Sequence, residues 1–280
     1  MNLSRRLLYA SEVWEVARPR TALTAGHLLI RLTNPATAFD VRSAADWLVC
    51  HNAARQALAD TLGATRCTVM FAHQWHPIGA AIGEPEAESS TPTFHLFGRW
   101  TGETVTPGDQ LLRPTQRRVP VAPEDLLKYD DGLRAALRRS AVEHSSQERA
   151  AAARWHFAAV LDAGIATNCH LGEAPALASV PLEAAPLPEL VEDSPTATAG
   201  TRHSVISPAM AGPLTPRLLL ALAAAVEELI GRPGVTGLSC VVPDPGTGPL
   251  EVHALGRSAG ESENPLRKFL SLPSVNQALL

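Results

Sequence analysis

Thr93-Phe-His-Leu-Phe-Gly-Arg99 and Glu251-Val-His-Ala-Leu-Gly-Arg257 follow one pattern: alternating apolar positions, a histidine in third place and Gly-Arg at the end. Alternation of period two reads as a β-strand. What precedes each stretch also matches. A helix closed by a glycine leads to a strand, and a loop leads on to the histidine strand. Gly63 lies 32 residues before His95, and Gly231 lies 22 before His253, so the difference of ten falls in the loop. Repetition of a whole element order points to an internal duplication.

Working outward, residues 12–17 and 26–32 read as strands, 44–62 as a helix with Ser43 as N-cap and Gly63 at C′, and 66–72 as a strand. A loop from His73 to about Pro92 carries GAAIG (79–83) and an acidic, small-residue run. The Pro-rich stretch 101–124 reads as a linker. A helix from Asp125 into Arg154, interrupted near Ser145-Ser146, is expected next, then a strand at WHFAAVLD. Thr215, Pro216 and Gly231 bound a helix, and 237–243 and 250–257 read as strands. Two alignments of the second repeat's start compete. One lays Trp14–Leu28 over Phe157–Leu171 at a constant offset of 143, with 172–213 as an insertion. The other puts RHSVI (202–206) at the second-strand position. The repeats divide at residues 122 and 123.

Composition narrows the function. The 280 residues carry 24 Lys+Arg against 28 Asp+Glu, a formal charge of −4, which gives no reason to expect nucleic-acid or anionic-membrane binding. Hydrophobic residues at 45% support a sizeable core. The longest aliphatic run, Leu218–Val226, is nine residues and too short for a bilayer. The four cysteines form no CxxC pair, so a reduced, cytoplasmic setting is expected, without a zinc ribbon or other metal. No P-loop, G-x-G-x-x-G or G-x-S-x-G occurs.

Four stretches carry a resemblance. Gly26-His27-Leu-Leu-Ile30 is similar to the Gly-His strand of the histidine-triad superfamily. GAAIG (79–83), Ser90-Thr-Pro-Thr-Phe-His-Leu-Phe97 and Leu250-Glu-Val-His253 with Leu266-Arg-Lys-Phe269 resemble its duplicated members. Those are galactose-1-phosphate uridylyltransferase and the dinucleoside-polyphosphate phosphorylases. The resemblance implies an α+β fold: two histidine-triad-like repeats, each an antiparallel sheet with packed helices, joined as a pseudo-dimer. It implies a nucleotidyltransferase, phosphorylase or hydrolase acting on a nucleoside phosphate ester or anhydride. No cofactor is implied, and the state is a monomer or a homodimer.

On this resemblance His95 is the nucleophile. A neutral imidazole attacks well near pH 7, provided that its other nitrogen is held, here by a carbonyl or by His27. Ser89, Ser90, the amides of the Gly79–Gly83 loop, and Arg99 are candidate donors to phosphate. Thr93 stands where the motif has its first histidine, and Phe97 where it has a final Gln or His. Loss of one such donor is worth roughly 3 kcal/mol. Pro19 replaces an expected ribose-binding Asp or Asn, and Asp162 holds the aligned place in the second repeat. His253 is the second repeat's remaining motif histidine. His73 and His76 read as solvated loop residues, and Cys50-His51 is no dyad because adjacent helical residues diverge. Two other functions stay open: a catalytically degenerate nucleotide- or partner-binding protein, and a non-phosphoryl reaction using the remaining histidine as acid or base.

Overall fold

A computed structural model describes residues 6–75, 82–86, 93–165, 187–194, 202–244, 250–273 and 275, with backbone only for 147–165. Its centre is a nine-stranded sheet in which every neighbouring pair is antiparallel. The strands are β1 (Leu7–Ala10), β2 (Trp14–Ala17), β3 (His27–Leu32), β4 (Arg66–His73), β5 (Thr93–Arg99), β6 (Leu190–Asp193), β7 (His203–Pro208), β8 (Gly237–Val242) and β9 (Val252–Arg257). The helices are α1 (Val41–Leu62), α2 (Pro107–Leu111), α3 (Pro123–Ile165), α4 (Pro216–Ile230) and α5 (Pro265–Leu270).

The strand order β1-β2-β3-β5-β4-β8-β9-β7-β6 reads symmetrically outward from the β4/β8 pair, apart from β1. Met70 pairs with His95 on one side, and Val241 pairs with His253 on the other. Met70 and Val241 are therefore equivalent, and they face each other across the junction. Val69↔Val242 and Phe71↔Cys240 exchange under the same local two-fold axis. This is an isologous contact built within one chain. Beyond β5 and β9 the halves run in step. Arg99 pairs with Glu103 and Arg257 with Glu261, both at i,i+4. Thr106 caps α2 before Pro107, and Asn264 caps α5 before Pro265.

One face of the sheet packs against helices α1 and α4. The buried α4 residues Leu218, Ala221, Leu222, Val226 and Leu229 recur at helical spacing. On α1 the buried positions include Ala44, Trp47, Leu48, Ala54 and Leu58. Gly98 lies beneath that helix, where an added Cβ would stand 3.0 Å from Leu58. The opposite face holds Met70, Phe97, Val241 and Leu255 under Leu111 of α2 and Phe269 of α5.

Several expectations are corrected. WHFAAVLD is the last part of α3, which runs unbroken through Ser145-Ser146. Alanine-rich sequence favours helix, and Ser146 Oγ donates to the Val142 carbonyl at 2.9 Å. The offset of 143 therefore joins a helix to a strand and fails. The alignment through RHSVI is the one realised, as β7. Asp162 consequently lies in α3 rather than at the end of a strand. The N-cap of α1 is Asp40, with Ser43 completing the box from N3. Gly63 closes that helix in the left-handed region, but Gly231 closes α4 with ordinary right-handed geometry. The stretch 101–124 is packed in part, with Leu111 and Arg118 buried and Val121 N–H donating to the Ala22 carbonyl. The short edge strands β1 and β6 were not expected.

Arg18 and Asp130 bind the first half to α3 through a buried pair at 2.9 Å, with side chains 3% and 4% exposed. Removing one partner strands a buried charge. We expect Asp130→Ala to lower unfolding free energy by about 3–5 kcal/mol in denaturant titration. A loss below about 1 kcal/mol would show that the charge is solvated without Asp130.

Candidate functional site

His95 sits on the sheet face opposite α1, directly across from Leu29. His27 is the diagonal neighbour, near enough for ring contact. His27 Nε2 and His95 Nδ1 are 3.0 Å apart, and both residues are buried. Gly26 and Gly98 make this approach possible. Gly98 N–H donates to the Gly26 carbonyl at 3.0 Å. A Cβ on Gly26 would come within 2.4 Å of the Gly98 oxygen, so only glycine fits.

The proton order follows from one amide. Leu23 N–H donates to His27 Nδ1 at 3.2 Å. His27 therefore carries its proton on Nε2 and donates it to His95 Nδ1. Neutral His95 is left protonated on Nε2. That nitrogen is the one not engaged by His27, and His95 lines a cavity. The reverse order would set an Nδ1–H of His27 against the Leu23 N–H. Leaving such a buried donor unpaired costs about 1–3 kcal/mol, a bias of roughly tenfold to a hundredfold.

Burial holds the pair neutral. Desolvation pushes His27 well below the ordinary range, with further lowering from His95, Arg18 and Arg118. The same effect brings His95 to about 3. Phe97 stacks on His27 with ring centroids 4.2 Å apart. The residue that replaces an expected donor thus helps to wall in the dyad.

The second half repeats the arrangement. His203 Nε2 lies 3.1 Å from His253 Nδ1. Burial lowers both to about 4. Phe269 packs on both rings, each with centroids 4.9 Å away. Glu251, at the position of Thr93, places a carboxylate oxygen 3.6 Å from His253 Nε2. His203 is the partner that the competing alignment left unresolved in the sequence.

A cavity of about 540 Å³ adjoins His95, and Thr93 and Glu84 also line it. Buried Glu84 accepts from Ser239 Oγ at 2.5 Å and pairs with Arg257, whose guanidinium lies over Trp75. Desolvation raises the Glu84 carboxyl, although Arg257 opposes the shift. No sequence signal marked Glu84 or the Leu23 amide, since both act through tertiary position.

The other candidates fall in different places. Arg99 is held by Glu103, and four residues of strand separate it from His95 by about 13 Å. Gly83 is left-handed at φ 88°. Its amide donates to the Leu111 carbonyl at 2.7 Å, so neither Arg99 nor that amide is aimed at a phosphate on His95. Gly79, Ser89, Ser90 and His76 lie outside the described residues. His73 bonds Glu227 at 2.5 Å. His51 stacks on Trp47, whereas Cys50 turns to Ser11. Burial raises the Cys50 and Cys67 thiols to about 12, which argues against thiolate chemistry there. Among the described residues, no three His, Cys, Asp or Glu side chains converge as a metal site.

No family model matches the sequence, and no curated protein matches it. Among solved structures, the chain is similar to a zinc-bound histidine triad family protein from Mycobacterium smegmatis. That alignment has 18% identity, covers 48% of this chain and 84% of the other, and has a TM-score of 0.32. It is also similar to a Hit-like protein involved in cell-cycle regulation from Bartonella henselae, with an unknown ligand. Here identity is 14%, coverage is 47% and 85%, and the TM-score is 0.28.

The depressed histidines set a pH dependence. Between about 3 and the ordinary value of 6.5, unfolded chains bind protons that folded His95, His203 and His253 refuse. Stability contributed by the neutral rings is present above pH 6.5 and is lost as pH falls towards 4. Thermal unfolding should show this decline, and His95→Gln should make it shallower. A pH-independent difference between the two proteins would contradict the assignment.

Proposed function

We propose that the chain is a nucleotide- or nucleoside-directed enzyme of the histidine-triad kind, working on a small molecule beside His95. The observation that supports this most is the buried His27–His95 pair at the edge of the cavity. Its recurrence as His203–His253 in a symmetrically ordered sheet supports descent from a duplicated unit. The motif match around Ser90, Pro92 and His95 agrees with both.

In the phosphoryl version, His95 Nε2 attacks an α-phosphorus, the P–O bond to the leaving group breaks and that group departs as the first product; water, phosphate or a sugar phosphate then displaces His95 and takes up the nucleotidyl group. That chemistry requires a lone pair on Nε2, so the dyad must first reverse its proton order against the Leu23 amide. A second version uses the order as it stands. Neutral His95 donates Nε2–H to an oxygen of the substrate and serves as acid or electrophile. The Leu23–His27 hydrogen bond favours this version.

The test is turnover of nucleosides, nucleotides, nucleotide sugars and dinucleoside polyphosphates, followed by chromatographic product analysis. Intact-protein mass spectrometry, quenched without acid, reports any covalent adduct. His95→Ala should reduce turnover by about 10²–10⁴-fold while the far-UV circular dichroism stays unchanged. An unaltered rate in that variant would overturn the proposal.

A further inference from the structure

Pairing between β4 and β5 ends at Met70↔His95, although β4 continues along β8 to His73 and β5 along β3 to Thr93. The cavity lies where these strands part, so residues of both sheet faces line it. His95, Met70 and Leu266 belong to the histidine face. The larger part of the wall is on the opposite face, under α4. There Trp14, Trp47 and Phe71 gather around Phe94, with ring centroids 5.7, 5.2 and 5.1 Å from it. Leu222 and Val226 of α4 line the same space and belong to the same core cluster. Protein interiors leave few voids larger than a water molecule, and an apolar chamber of this kind suits a lipophilic guest better than water.

Charge narrows the guest. Among the described residues lining the cavity, Glu84 is the only Asp, Glu, Lys or Arg. It belongs to the histidine face, where Ser239 and Arg257 hold it. At the rim under α4, His73 is engaged by Glu227 at 2.5 Å. An ionised ligand in the chamber would lose its hydration without gaining an opposite charge, which is costly. An uncharged ligand avoids that cost.

Two indoles decide the remaining polarity. Trp14 Nε1–H is taken by the Ser43 carbonyl at 2.8 Å. Trp47 is 5% exposed, and its Nε1–H is buried with no acceptor among the described residues. His51 stacks on the Trp47 ring at 4.9 Å and 7° without receiving that proton. A buried donor left unpaired is expensive, so the chamber favours a guest that brings one acceptor atom to it.

We propose that the chamber under α4 binds an uncharged lipophilic small molecule carrying a hydrogen-bond acceptor, such as a ketone, ester or ether oxygen, which accepts from Trp47 Nε1–H. This site lies on the sheet face opposite the histidine pairs, and it stands independently of the function proposed above.

The experiment is a calorimetric titration of the whole chain with three probes of one skeleton: diphenylmethane, benzophenone and 4-benzoylbenzoate. They differ in having no acceptor, a ketone, and a ketone with a carboxylate. Benzophenone should bind about tenfold more tightly than either of the others. Trp47→Phe should remove the advantage over diphenylmethane, whose own binding stays within about threefold. Ala223→Trp, at an exposed position of α4 that lines the cavity, should weaken benzophenone by about tenfold with the folded circular dichroism unchanged. Ultraviolet irradiation of the benzophenone complex, followed by peptide mapping, should label α4 or the strands beneath it. Equal binding of benzophenone and diphenylmethane, or an advantage that survives in Trp47→Phe, would overturn the inference. Tighter binding of 4-benzoylbenzoate, labelling confined to α2 or α5, or failure of all three probes to bind would also overturn it. Each of these results leaves the proposed function at His95 standing.

Discussion

The backbone N–H of Leu23 determines which way the protons point in the first histidine pair. It occupies His27 Nδ1, so His27 gives its Nε2 proton to His95. The amide has to be held in place for this to matter. Arg18 binds the Ala25 and His27 carbonyls, and Asp130 of α3 neutralises its guanidinium inside the protein. Val121 N–H anchors the same loop through the Ala22 carbonyl. A positioning chain therefore runs from α3 through a buried ion pair and a loop to the imidazole at the cavity. Burial makes the arrangement consequential, because in a dry site an unpaired donor is expensive and a charged ring more so.

The sheet makes two such sites out of one plan. The β4/β8 junction is self-complementary, with Met70 and Val241 on its local axis. Each half then sets a histidine strand beside a strand that begins with the partner histidine. The halves have diverged in what surrounds the rings. Phe97 stacks on His27 in the first half, whereas Phe269 reaches over both histidines in the second. Thr93 lines the cavity, and at the matching position Glu251 brings a carboxylate to His253. Equivalent strand register thus presents different chemistry in each half of the sheet.

Much of the fold was legible because its signals are local. Alternation marked the histidine strands, Thr215 and Pro216 marked the start of α4, and Gly63 marked the end of α1. The contact between His27 and His95 was legible as one of two ways to hold the ring. What failed was local evidence overridden by context. Ala-rich sequence around Phe157 carried enough aliphatic residues to imitate a strand, yet it continues α3. That error displaced the second repeat and promoted Asp162. The Pro-rich stretch 101–124 resembled a linker because proline and polar residues also build short capped helices that pack. Glu84 and the Leu23 amide left no trace in the sequence, since their partners lie far along the chain or on the backbone.

The central claim concerns the position of a proton, and nitrogen-15 NMR of histidine-labelled protein reads it directly. Long-range correlations at pH 7 distinguish a protonated ring nitrogen from a bare one, and a His95→Gln sample assigns the signal. The account predicts His95 with hydrogen on Nε2 and a bare Nδ1, unchanged down to pH 5. An Nδ1–H tautomer, or a ring that becomes charged between pH 7 and pH 5, would contradict it.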